Sequence, residues 1–206
     1  MSSASATLLD PRLAELVAAR VCHDLGSPVA SLGALLPQAA DPAAQEILRE
    51  TAQELRARLQ LLAALFGPAD ERDWAEIARL LTGAPMAHRV AFAVPARAGA
   101  LPAARSRLVL AALLLAAEAL PRGGSVHATE PAPGRIAVRA EGRQVAWSES
   151  LLRLLAGEPA QAALELGPRH VLAPWLFCLA AEGGEALDLA WPPGGGAPVL
   201  FIGQGD

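Results

Sequence analysis

Hydrophobic residues near the start of the chain recur at steps of three and four, which is the spacing of one face of an α-helix. The spacing predicts a helix from Leu8 to Leu36. The apolar face of this helix comprises Val17, Val21, Leu25, Pro28, Leu32, Leu35 and Leu36.

A second amphipathic helix is predicted after a break in this pattern. Asp41 followed by Pro42 is typical of an N-cap and a first helical position, and the helix is expected to end at Phe66, before Gly67. Two such helices cannot cover each other's apolar stripes completely. We therefore predict that two copies of the hairpin form a dimeric four-helix bundle. The alternative is that the hairpin packs against the C-terminal half of its own chain.

Beyond a linker at residues 67–72 the pattern changes to shorter segments of both helical and strand type. This texture predicts an α+β protein with two domains, a helical hairpin over 1–68 and an α/β domain over 73–206. The second domain is expected to be a two-layer sandwich, an open sheet with helices on one face. Its predicted helices span 73–81, 103–120, 148–156 and 171–181, and its predicted strands span 90–94, 126–129, 136–140, 186–191 and 198–202. The last two strands are expected to form a hairpin around the glycine-rich segment 192–196.

Composition removes several classes of function. The net charge is −4 and no dense basic cluster is present, so nucleic-acid binding is not expected. All 17 basic residues are arginine, and a chain without lysine has neither a Walker A loop nor a Schiff-base nucleophile. No signal peptide and no bilayer-length apolar run is visible, which favours a cytoplasmic protein without membrane contact. The histidines lie on separate predicted elements, so no metal site is expected.

Candidate chemistry is concentrated around His23. Residues 20–28 read Arg-Val-Cys-His-Asp-Leu-Gly-Ser-Pro, and a histidine followed by an acid and then by a proline on a helix is the pattern of a phosphoryl-carrying histidine. At about 100° per residue the apolar stripe falls opposite His23, which predicts an exposed imidazole. Its helical neighbours on the outer face are all small, namely Ala19, Gly26, Ser27 and Ala30.

The residue types around His23 suit nucleophilic catalysis. Neutral imidazole is a nucleophile near pH 7, and Asp24 could orient the ring or act as a general base. Arg20, one turn earlier, could contact phosphoryl oxygens or an acidic pocket of a partner, or could be an ordinary solvated charge. Pro28 removes a backbone donor, so we expect an unpaired carbonyl near Asp24 and a loosened turn around His23.

Residues 13–28 resemble the phosphoacceptor helix of ChpT-type histidine phosphotransferases, alphaproteobacterial relay proteins related in fold to histidine kinases. Weaker similarities follow in the same order at 119–124, 155–159, 174–175 and 182–184. The resemblance implies a homodimer with a central four-helix bundle and two degenerate ATPase-like domains. His23 would accept phosphate from the receiver aspartate of a hybrid kinase and pass it to a response regulator. Magnesium would sit on the receiver partner, with no cofactor on this chain.

The sequence also argues against charging of His23 from ATP. A kinase-type site needs an asparagine to hold magnesium and an Asp-x-Gly-x-Gly turn, and the chain contains neither. The predicted helix over 108–120 offers Glu118 as its only polar side chain. Two other interpretations stay open: a dimeric adaptor that binds receivers without accepting phosphate, and a histidine kinase with a divergent ATP site.

Overall fold

Two long helices form the N-terminal part of the protein. In the computed structural model, which describes residues 11–97 and 99–203, α1 spans Pro11–Leu35 and α2 spans Pro42–Phe66. The predicted start of α1 at residues 8–10 lies outside the described residues. The Asp41 carboxylate accepts hydrogen bonds from the backbone N–H groups of Ala43 and Ala44, both at 3.4 Å. The predicted N-cap of α2 is therefore confirmed.

A five-stranded mixed sheet forms the centre of the C-terminal part within the described residues. The strands are β1 (Val90–Ala93), β2 (Gly124–Ala132), β3 (Arg135–Glu141), β4 (Ala186–Ala190) and β5 (Val199–Gly203). Their order in the sheet is β1-β2-β3-β5-β4, with β1 parallel to β2 and the other neighbouring pairs antiparallel. The predicted hairpin around the glycine-rich segment after residue 191 is the β4–β5 pair.

The helices of the C-terminal part lie near their predicted positions. They are α3 (Trp74–Leu81), α4 (Ala103–Glu118), α5 (Glu149–Leu155), α6 (Ala160–Leu164) and α7 (Leu172–Gly183). Asp73 begins α3 with a complete capping box, and Ser148 caps α5. The exception is α6, which was not predicted, because a helix of five residues without a side-chain cap is too short to show helical periodicity. Of the helices in the described part of the chain, none is both long and apolar enough to cross a membrane.

The hairpin and the C-terminal domain share one hydrophobic core. The stretch 108–117 of α4 is buried throughout, and Leu13 and Leu61 from the hairpin belong to the same buried cluster. Two polar contacts reinforce this packing: Trp175 Nε1 donates to the carbonyl of Leu65 at 3.0 Å, and Arg107 Nη1 donates to that of Gly67 at 2.8 Å. One face of the hairpin is thus covered by the protein's own C-terminal domain, so the alternative packing considered from the sequence holds for that face.

Candidate functional site

His23 lies near the middle of α1 with its side chain 63% exposed. The predicted outward orientation is confirmed. All four small neighbours identified from the helical projection, Ala19, Gly26, Ser27 and Ala30, are also exposed. A Cβ placed on Gly26 would meet no atom within 4 Å. The imidazole therefore stands on a surface of small side chains that another protein can approach.

The side chain of Asp24 contacts the imidazole ring of His23. This side chain is only 9% exposed, and its Oδ1 lies 3.1 Å from Nδ1 of His23. An ionised carboxylate can only accept a hydrogen bond, so this contact requires the proton to sit on Nδ1 of the neutral ring. The lone pair of Nε2 is then free, and Nε2 is the nitrogen available for nucleophilic attack.

The structure places Arg20 in the protein interior rather than in solvent. Its Nε donates to Oδ2 of Asp24 at 2.8 Å, its Nη2 donates to Oε1 of Glu118 at 2.6 Å, and its side chain is 12% exposed. A direct contact of Arg20 with an acidic pocket of a partner, one of the uses predicted from the sequence, does not fit this position. Arg20 instead binds Oδ2 of Asp24, the carboxylate oxygen that does not contact His23.

Glu118, at the end of α4, is the site residue that the sequence analysis did not assign. Its side chain is 21% exposed. Burial raises the pKa of its carboxyl group, and the guanidinium of Arg20 offsets only part of that rise. Burial also works against the charge of Arg20, but Glu118 and Asp24 together raise its pKa. The sequence contained one sign of a role for Glu118: it is the only polar residue in the otherwise apolar stretch 108–120.

Pro28 does not leave the carbonyl of Asp24 unpaired, contrary to the prediction. Pro28 is buried within a continuous helix, and it cannot donate to the carbonyl of Asp24. Arg58 of α2 donates to that carbonyl instead, with Nη1 at 3.2 Å, and its side chain is 10% exposed. A side chain of α2 thus replaces the backbone hydrogen bond that Pro28 cannot make. This contact holds α2 in register with the turn of α1 that carries His23.

Replacing Arg58 by methionine is expected to lower the free energy of unfolding by about 1–3 kcal/mol, because the partly buried carbonyl of Asp24 loses its donor. Urea denaturation followed by circular dichroism measures this change. Arg56→Met is the matched control, since Arg56 is exposed on the same helix and is expected to change stability by less than about 0.5 kcal/mol. Equal losses in the two variants would contradict the assigned role of Arg58.

An exposed histidine with one ring nitrogen held by a carboxylate and the other free, on a helical hairpin joined to an α/β domain, defines a phosphotransfer protein of the histidine type. A model of the histidine phosphotransferase C-terminal domain matches residues 74–193, and the chain belongs to this family.

One sequence relative agrees with this assignment, and one solved structure shares the fold. The chain is 27% identical over 184 residues to the protein phosphotransferase ChpT of Brucella abortus (strain 2308), covering 82% of this chain and 85% of that protein. A solved structure of a bacterial phosphotransferase superposes with a TM-score of 0.76 at 24% identity, covering 97% of this chain and 98% of the other, and shows the same fold. The predicted resemblance and the broad function, a histidine phosphotransferase of a phosphorelay, are confirmed. The roles predicted for individual site residues stay predictions.

Proposed function

We propose that His23 is the phosphoacceptor, and that it takes a phosphoryl group from a receiver aspartate and passes it to the aspartate of a response regulator. The observation that carries this proposal is the pairing of an exposed, unpaired Nε2 with an Nδ1 bonded to the shielded Asp24. The small side chains around the imidazole support the same conclusion, since in-line attack requires a receiver domain to approach closely.

In the forward step, the Nε2 lone pair attacks the phosphorus of the aspartyl phosphate. The bond between phosphorus and the aspartyl oxygen breaks, and the receiver carboxylate leaves with the electron pair. The imidazole becomes positively charged because both ring nitrogens are then substituted. The adjacent Asp24 carboxylate, at 3.1 Å from Nδ1, offsets that charge. Transfer to a second receiver aspartate is the same step in reverse, so one geometry serves both half-reactions.

The second part of the proposal is that this transfer uses no ATP on this chain. The complete absence of asparagine and of an Asp-x-Gly-x-Gly turn supports it. The polar groups of α4 support it as well, since Ser106 is buried and bonds the carbonyl of Leu101, and Glu118 is engaged by Arg20. We assign the C-terminal domain the role of a degenerate ATPase-like scaffold and docking surface. Magnesium is expected on the partner receiver, and the reaction is expected in the cytoplasm.

The third part of the proposal is a homodimer built through the hairpin. Large apolar side chains remain exposed on both helices or directly after them: Val29 at 53%, Leu36 at 62%, Ile47 at 48% and Leu59 at 46%. The C-terminal domain covers a different face of the hairpin. A second copy that presents the same surface would bury these side chains in a four-helix bundle.

Incubation of the protein with a receiver domain carrying labelled phosphate, and separately with labelled ATP and magnesium, tests the proposal. Label from the receiver is expected on this chain, stable in base and labile in acid as phosphohistidine is. No label is expected from ATP alone. Label from ATP would identify a histidine kinase, and failure with every receiver tried would favour the adaptor interpretation.

A further inference from the structure

Four side chains from two domains form a continuous series that ends at the phosphoacceptor. His23 contacts Asp24, Asp24 contacts Arg20, and Arg20 contacts Glu118, with separations of 3.1, 2.8 and 2.6 Å. We propose that Glu118 is a positioning residue, through which the C-terminal domain holds the His23 imidazole in the tautomer that leaves Nε2 free. The inference rests on the proposed function only in taking His23 as the acceptor.

The geometry of Arg20 gives Glu118 this role. A guanidinium can bind a carboxylate through two parallel N–H groups and so occupy both of its oxygens. Here the guanidinium is divided between two acids: Nε bonds Oδ2 of Asp24, while Nη2 bonds Glu118. Oδ1 of Asp24 is consequently left for Nδ1 of His23. Without Glu118, Nη2 has no acid partner and the guanidinium can turn onto both oxygens of Asp24, in competition with the imidazole.

The position of Glu118 makes it a firm anchor for Arg20. It is the last residue of α4, the most deeply buried helix of the C-terminal domain. Arg20 also donates from Nη1 to the carbonyl of Arg169 at 3.4 Å, so both contacts that restrain the guanidinium beyond Asp24 come from that domain. The domain therefore does more than supply a docking surface, because it sets which oxygen of Asp24 the histidine meets.

Glu118→Leu removes the acceptor, and the surroundings suit a leucine because Leu62, Leu114 and Leu172 line the same pocket. In the full chain, the ¹⁵N shifts of the two His23 ring nitrogens report the tautomer at a pH where the ring is neutral. We expect the Nδ1–H form to dominate in the wild type and the population to move toward the Nε2–H form in Glu118→Leu. Receiver-to-His23 transfer is expected to slow about fivefold, the effect of losing one hydrogen bond of ordinary net strength.

Two further variants separate positioning from a general loss of packing. Glu118→Gln keeps an oxygen that can accept from Arg20, so it is expected to restore the tautomer and most of the rate. Glu185→Leu removes another mostly buried carboxylate, 10% exposed and paired with Arg105, without touching the series. It is expected to change neither readout.

An unchanged His23 tautomer in Glu118→Leu would overturn the inference, and so would an equal change in Glu185→Leu. The tautomer is read before any phosphoryl transfer. A wild type that accepts no label from any receiver would therefore defeat the proposed function, while the shifts would still decide whether Glu118 controls the ring.

Discussion

Substitution of His23 by glutamine is expected to reduce label transfer from a phosphorylated receiver by more than about 1000-fold, to the detection limit. Glutamine keeps the size and polarity of the side chain but has no nucleophilic ring nitrogen. Because His23 is 63% exposed and packs on small neighbours, the fold should not change. The rate of loss of label from the receiver, and the label on this chain, measure the effect directly.

The matched control for this experiment is His88→Gln. His88 is also exposed but lies in the C-terminal domain, just before β1. It is expected to leave the transfer rate unchanged within about twofold, as is usual for surface substitutions away from a site. Label that persists on His23→Gln, or an equal loss in His88→Gln, would show that His23 is not the acceptor. Circular dichroism spectra of both variants establish that the hairpin remains helical.

Placing glutamate at both Leu36 and Ile47 is expected to convert a dimer into a monomer. Both side chains are exposed in the single chain, so the substitutions should leave its fold intact. In a symmetric dimer every substitution acts twice. Four lost apolar contacts, at about 1.5–3 kcal/mol each, are comparable with the whole free energy of a micromolar association, about 8 kcal/mol. Sedimentation equilibrium over a range of protein concentrations measures the change in dissociation constant.

Leu152→Glu provides the control for the dimer experiment. Leu152 is 48% exposed, as Ile47 is, but it lies on α5, away from the hairpin. It is expected to leave the dissociation constant unchanged. A wild type that sediments as a monomer at tens of micromolar would contradict the dimer, and so would a double variant that stays dimeric. Because Leu36 and Ile47 lie near the connection between α1 and α2, away from His23 in the middle of α1, transfer can be assayed in the same variant.

Most of the fold could be predicted because its signals are local. Asp41 and Pro42 marked the start of α2 through groups only a few residues apart, and the short apolar segment over 136–140 marked the strand β3. The burial of α4 was visible from its continuous apolar composition. Apart from the β4–β5 hairpin, the pairing of the strands could not be predicted, including the placement of β5 next to β3, because it depends on contacts distant in sequence.

In the candidate site too, features that depend on neighbouring residues could be predicted, and contacts between distant residues could not. The exposure of the His23 ring followed from helical geometry alone. A contact with Asp24 was one of two uses considered for that side chain, and the tertiary structure shows it. The prediction for Pro28 was wrong in its consequence, because the donor that compensates for it, Arg58, lies 34 residues from Asp24. The main partner of Arg20 in the other domain, Glu118, lies 98 residues away. Contacts over such sequence separations produce no regular spacing of residue types, so neither could be predicted from the sequence.

The sequence by itself pointed to His23 as the candidate nucleophile, to the face of the helix on which it lies, and to the family that the protein resembles. Each of these follows from residue type and from a spacing of a few positions. Only the tertiary structure decided how the ring is held. Long arginine side chains can reach many partners, and which acid each one meets depends on how the hairpin packs against the buried end of α4. That packing turns an exposed histidine into an oriented one.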